Sequence, residues 1–114
     1  MLRRLQLLES SSVIEKFDIL DFKQGEGFCF LKIKAILKNG NELHIREYVS
    51  ENEYSYSYQW QDSEGRLITR WDNSPHYRHL NTFPHHKHTP DIEESRETNI
   101  EEVLKVIEER LKES

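Results

Sequence analysis

Five of the six histidines in this 114-residue chain fall between His76 and His88, inside the stretch RWDNSPHYRHLNTFPHHKH that begins at Arg70. Around them stand Asp72, Arg70, Arg78 and Lys87, with prolines at 75 and 84. An imidazole with a pKa near ~6.5 can give or take a proton at neutral pH, which suits it to general acid/base work. Metal-independent RNA cleavage needs that pairing. A base deprotonates the ribose 2′-OH, an acid protonates the departing 5′-oxygen, and cations hold the charge on phosphorus. Arg70, Arg78 and Lys87 are the cations at hand, and Asp72 can orient one imidazole by accepting from its second ring nitrogen.

Two other uses fit the same residues. His76, His79, His85, His86, His88 and Asp72 exceed the three or four ligands that zinc takes. Their spacing matches no common zinc motif, the segment has no cysteine, and Arg78 and Lys87 would repel an ion. The remaining reading is structural, with the histidines and Asn73 hydrogen-bonding the loop to itself. Five histidines within thirteen positions make that hard to sustain for all of them.

The elements that must hold this segment come before it. Leu2, Leu5 and Leu8 suit a short helix over residues 1–9, and Ser10–Ser12 end it. From Val13 the texture is that of strands. Leu31, Ile33, Ala35 and Leu37 alternate with Lys32 and Lys34, as in a strand with one buried face. Asn39-Gly40 predicts a two-residue type I′ hairpin turn. The return strand is ELHIREYV, where His44 is expected to face solvent. In YSYSYQW, Tyr54, Tyr56, Tyr58 and Trp60 share a face, better explained as core than as a stacking platform for bases. After DSEG, RLITRW puts Trp71 in the core and Arg70 and Asp72 on the other face.

The expected architecture is α+β in one domain, an antiparallel meander of about five strands with a helix at each end. The sheet covers 13–73, a histidine-rich loop and acidic linker cover 74–97, and an amphipathic helix covers 98–112. Thr98 and Glu101 predict a capping box there. Within the loop, Pro75 and Pro84 stiffen the backbone, and Trp71 and Phe83 anchor it to the core. The lone Cys29 reads as a buried free thiol.

Net charge is −5, yet the charge is uneven. Residues 91–114 carry nine acids against four bases, whereas residues 66–90 carry four bases against Asp72 alone. The acidic tail thus masks a locally basic segment. No apolar run reaches the ~18 residues of a membrane span, and no secretory leader is evident. A soluble, cytoplasmic domain is the expectation.

Trp71-Asp72-Asn73, Pro75-His76 and then Thr82-Phe83-Pro84-His85-His86-Lys87-His88, followed by an amphipathic helix, resemble the TumE family of toxin–antitoxin proteins. That family often has alanine where Ser74 stands and histidine at Tyr77, so neither residue is expected to be catalytic. The resemblance implies a toxin neutralised by a cognate protein antitoxin. It brings no established reaction, although many small toxins of such systems attack RNA. Clustering and motif together nominate His76, His86 and His88 for proton transfer, Asp72 for orientation, and Arg70, Lys87 and Arg78 for binding substrate phosphate. A metal-free ribonuclease is the leading expectation. The alternatives are a divalent-metal nuclease or hydrolase using the histidine cluster, and a non-enzymatic module whose loop binds the antitoxin. RNA and a second copy of the chain are compatible partners; a membrane is not.

Overall fold

The computed structural model of the protein describes residues 2–75, 78–89 and 91–113. Helix α1 spans Leu2–Ser10, and five long strands follow: β1 (Ile14–Gly25), β2 (Phe28–Leu37), β3 (Glu42–Ser50), β4 (Tyr54–Gln61) and β5 (Leu67–Asp72). Two short strands, β6 (His86–His88) and β7 (Ile92–Glu94), precede helix α2 (Ile100–Glu113). All pair antiparallel with their chain neighbours in a single meander, β1 through β7. The sheet therefore has seven strands where about five were expected. The two extra strands lie in the stretch read as loop, and three residues are too few to display a period.

Alternation along each strand divides the sheet into two faces. One face carries Leu31, Ile33, Ala35 and Leu37 of β2, Leu43 and Ile45 of β3, Tyr56, Tyr58 and Trp60 of β4, and Trp71 of β5, all buried. Leu8 of α1 and Ile100, Val103, Leu104 and Ile107 of α2 cover it. Each buried Leu, Ile or Val here contributes about 1.5–3 kcal/mol, so this face holds the fold together. The tyrosine row is core, as its alternation with Ser55 and Ser57 implied. Burial and the neighbouring Glu47 carboxylate push the Tyr58 phenol far above its ordinary range.

Several local expectations need correction. The β2–β3 connection is a three-residue loop rather than a type I′ turn. Gly40 alone takes a positive φ, its N–H bonds to Leu37 O at 2.9 Å, and Leu37 N–H bonds to Asn41 O at 2.8 Å. That is a type I turn followed by a left-handed glycine, a geometry in which Asn39 keeps an ordinary backbone. Asn99 caps α2 in place of Thr98, since its Oδ1 accepts from Glu102 N at 3.0 Å. Thr98 Oγ instead donates to the Glu102 carboxylate at 3.1 Å. Phe83 is 40% exposed and stands outside the core it was expected to anchor to. Cys29, near the start of β2, is a half-buried free thiol rather than a buried one, lining a hollow with Arg4, Leu31 and Val49.

Candidate active site

Among the described residues no helix covers the opposite face of the sheet, and the histidine segment contributes β6, one strand in from the β7 edge. Register fixes which side chains meet. Arg70 stands opposite His88 and Asp72 opposite His86 across β5 and β6, while Trp71 stands opposite Lys87. Strand alternation thus sends Arg70, Asp72, His86 and His88 to the open face and Lys87 to the other.

The three residues after Arg70 have three separate tasks. Trp71 packs in the core. Asn73 continues the pairing of β5 with β4 by side chain, its Oδ1 accepting from Tyr56 N at 2.9 Å and its Nδ2 donating to Tyr54 O at 2.6 Å. Between them Asp72, only 4% exposed, collects donors. Its Oδ1 accepts from Ser74 N at 3.1 Å and Ser74 Oγ at 2.8 Å, and its Oδ2 accepts from Arg70 Nε at 3.0 Å. His86 Nε2 lies 2.8 Å from Oδ1, and His88 Nε2 lies 3.7 Å from Oδ2. Burial opposes the charge on Asp72, but the two Ser74 bonds, the Arg70 guanidinium and His86 outweigh it. The carboxyl is held below its usual range and is ionised at neutral pH.

The two imidazoles on this carboxylate differ in access. His86 is 1% exposed, and its Nδ1–H donates to Pro84 O at 3.0 Å, which fixes the ring with its Nε2 turned toward Asp72. His88 has a side chain 19% exposed and packs edge-on to His86, with ring centroids 5.0 Å apart. Burial is the largest influence on His88 and lowers its pKa. Asp72 works in the raising direction, His86 and Arg70 in the lowering one, and the net result lies below the ordinary imidazole value. At neutral pH His88 is therefore a neutral base.

Arg70 also donates from Nη1 to Gln59 Oε1 at 2.8 Å. The two bonds orient the guanidinium and leave further N–H donors over. Arg70 and Asp72 line a cleft of about 470 Å³ together with Phe30, Arg46, Tyr48, Glu53 and Ser74, among others.

The remaining sequence candidates go elsewhere. His85 shares a hydrogen bond through Nδ1 with Tyr56 Oη at 2.9 Å and stacks on that ring at 5.8 Å. Arg78 and His79 are exposed in the turn before Thr82. Thr82 ties the loop together, donating to His85 O at 2.7 Å and accepting from Ser95 N at 3.1 Å. His76, expected to transfer protons, and Tyr77 lie outside the described residues. His44 is half exposed on the open face, 2.9 Å from Glu42. Ser74, Gln59 and Arg46 were not anticipated. Only the strand register brings Gln59 and Arg46 to the site, and Ser74 was set aside on the family pattern.

Asp72, His86 and His88 each offer a ligand atom within 4.8 Å of the others, a grouping able to hold a metal ion. With the ring Nδ1–H of His86 donated to a backbone carbonyl, its Nε2 has the orientation common among metal-ligating histidines. Arg70 opposes an ion there, since its cationic Nε is already 3.0 Å from Asp72.

Among known proteins, no curated relative and no solved structure matches the chain. The family model described as Toxin TumE matches residues 4–111, nearly the whole length, and includes every residue of the constellation just described. With the expected motif and this coverage, the chain belongs to the TumE family, toxins of toxin–antitoxin systems.

Proposed function

We propose that this toxin is a ribonuclease that needs no metal and cleaves RNA at the Asp72–His88–Arg70 corner of the open face. The observation that carries this reading is a partly accessible imidazole, kept in its base form, 3.7 Å from an ionised carboxylate that lines a cleft together with its bonded arginine. His88 takes the proton of the ribose 2′-OH as that oxygen attacks phosphorus. Arg70 holds the charge on the non-bridging oxygens. The bond to the 5′-oxygen breaks, leaving a 2′,3′-cyclic phosphate and a 5′-hydroxyl. The leaving oxygen needs a proton, and His76 is assigned that role on sequence alone. Asp72 orients His88, while His86 and Ser74 are positioning residues that fix Asp72. Arg78 and Lys87 keep no role at this centre, Lys87 because it faces the other side of the sheet.

The test is cleavage of RNA by purified protein in excess EDTA, with product ends identified. Cleavage that survives chelation and yields cyclic phosphate ends is expected. Loss of all cleavage on chelation, restored by zinc or manganese, would move Asp72, His86 and His88 to the role of metal ligands. That second reading is favoured by their grouping and by the bond from His86 Nδ1 to Pro84 O. Folded protein that stays inactive on RNA in both conditions, yet remains toxic with His88→Ala, would instead support a loop that only binds the antitoxin.

A further inference from the structure

The open face extends well beyond the reaction corner, and its side chains stand in rows set by register. One row runs His86, Asp72, Ser57, Arg46, Lys32 across β6, β5, β4, β3 and β2. A second runs His88, Arg70, Gln59, His44, Lys34 across the same strands. A third places Ser55, Tyr48 and Phe30 side by side on β4, β3 and β2. Strands lie about 4.8 Å apart, so Arg46 sits roughly 10 Å from the Asp72 position, with Lys32 one strand further. Two hollows on this face, about 470 and 300 Å³, share Arg46, Ser57 and Arg70 in their walls, so they adjoin along the sheet.

The charges on this face are not all spent. Lys34 and His44 both lean on Glu42. Arg46 and Lys32 are exposed, and among the described residues neither has a carboxylate oxygen within 4.0 Å. The Arg46 guanidinium lies over the Phe30 ring, 5.3 Å from its centroid, next to the half-buried Tyr48. On β1 the row of cations stops, because Asp21 faces Lys32 and Asp18 faces Lys34. Unpaired cations beside aromatic faces, leading away from a phosphate-handling corner and ending at acids, fit an anionic strand with accessible bases.

We infer that the open face is a track for single-stranded RNA running from the Arg70–His88 corner over β4 and β3 to Lys32. Arg46 and Lys32 neutralise phosphates to one side of the scissile group, and the planar Arg46 guanidinium, held over the Phe30 ring, offers a base its stacking surface. This inference rests on the ribonuclease reading for the identity of the strand. It adds binding residues twenty or more positions before the motif and a preference for unpaired RNA.

The test is fluorescence anisotropy with a labelled single-stranded RNA oligonucleotide, on a His88→Ala background so that the probe stays intact. The double variant Arg46→Glu/Lys32→Glu should bind roughly tenfold or more weaker and with a shallower dependence on salt, while Arg46→Lys keeps most of the affinity. A duplex of the same sequence should bind less tightly than the single strand. Circular dichroism checks that these exposed substitutions leave the fold intact. Equal affinity of the double variant and its parent overturns the track, as does equal affinity for duplex. Polyglutamate binding as tightly as RNA overturns it too, since the face would then be a general anion surface suited to an acidic peptide. The two proposals fail separately. If wild type cleaves RNA and the double variant cleaves it equally well, the track falls and the ribonuclease stands. If the oligonucleotide binds as described but wild type never cleaves RNA, the track stands and the ribonuclease falls.

Discussion

Two buried carboxylates, one on each face of the sheet, show how differently this small protein uses the same group. Glu47 of β3 is 3% exposed on the helix-covered face, and Asp72 of β5 is 4% exposed on the open one. Each is paired with an arginine. Glu47 takes Arg4 of α1 at 2.6 Å, a contact across 43 positions that ties the N-terminal helix to the sheet. Asp72 takes Arg70, two residues away on its own strand, then adds Ser74, His86 and His88. The first carboxylate joins distant parts of the chain and lies beside the phenols of Tyr54 and Tyr58, which burial keeps protonated. The second gathers two imidazoles, groups that exchange protons near neutral pH. A buried charge is costly anywhere, so each must be compensated, and the identity of the partners separates fastening from chemistry.

The sharpest separation is kinetic. Replacing His88 by alanine should lower RNA cleavage by about 10²–10⁴-fold, the usual contribution of a positioned acid or base, with little change in melting temperature. Replacing Arg4 by alanine should do the reverse. It strands Glu47 without its cation, at a cost of about 3 kcal/mol in denaturant unfolding, while the rate per folded molecule stays unchanged. If Arg4→Ala abolished cleavage in a folded protein, the two faces would be coupled and the contrast would fail.

Asp72 sits between these extremes, and its removal should register on both scales. Asp72→Ala leaves Ser74, Arg70 and His86 without their shared acceptor, which should cost about 3 kcal/mol and most of the activity. Its folded pKa is depressed, so its stabilising contribution is fully present above the unfolded value of ~3.9 and is lost as pH falls through the folded value. Wild type should therefore lose stability in acid below about pH 4 more steeply than Asp72→Asn. Unfolding midpoints across that range, compared between the two proteins, measure the difference.

How much of this was legible in the sequence follows the same division. The covered face could be read directly. Leu31, Ile33, Ala35 and Leu37 alternate with lysines, and Ile100, Val103, Leu104 and Ile107 keep a helical period. The open face was legible only where chemistry is concentrated in sequence, in Arg70, Asp72, His86 and His88. Lys87 was misplaced because HHKH was taken as loop. Once those residues form a strand, alternation must send Lys87 away from its two neighbours. Arg46 stands 26 positions before Asp72 and carries no local signal. It arrives through the register of three strands, which pairing fixes and composition does not.

The pH dependence of cleavage gives a finer test of the open face. His88 acts as a free base with a pKa below the ordinary ~6.5, so the acid-side decline of kcat/KM, where that base becomes protonated, should fall below this value. Among the described residues, Asp72 is the neighbour that raises this pKa. In Asp72→Asn the declining limb should accordingly move further toward acid even as the maximal rate drops. A limb that moved toward base would mean that another group is the base.

The smallest effect belongs to the covered face. Asn99 caps α2 by accepting from Glu102 N at 3.0 Å, one of the amides that the first helical turn leaves unbonded. Asn99→Ala should destabilise the protein by about 1 kcal/mol, whereas Asn99→Ser or Asn99→Asp should recover most of that loss because both retain a side-chain oxygen at the cap. Ile100, Val103, Leu104 and Ile107 bury their side chains against the sheet from that helix. A weakened cap therefore loosens the covered face first and reaches His88 only through global unfolding. Cleavage measured well below the melting temperature should match wild type. Hydrogen exchange should speed up at the amides of the first turn of α2, while those of β5 and β6 beside the open face change only as far as overall stability falls.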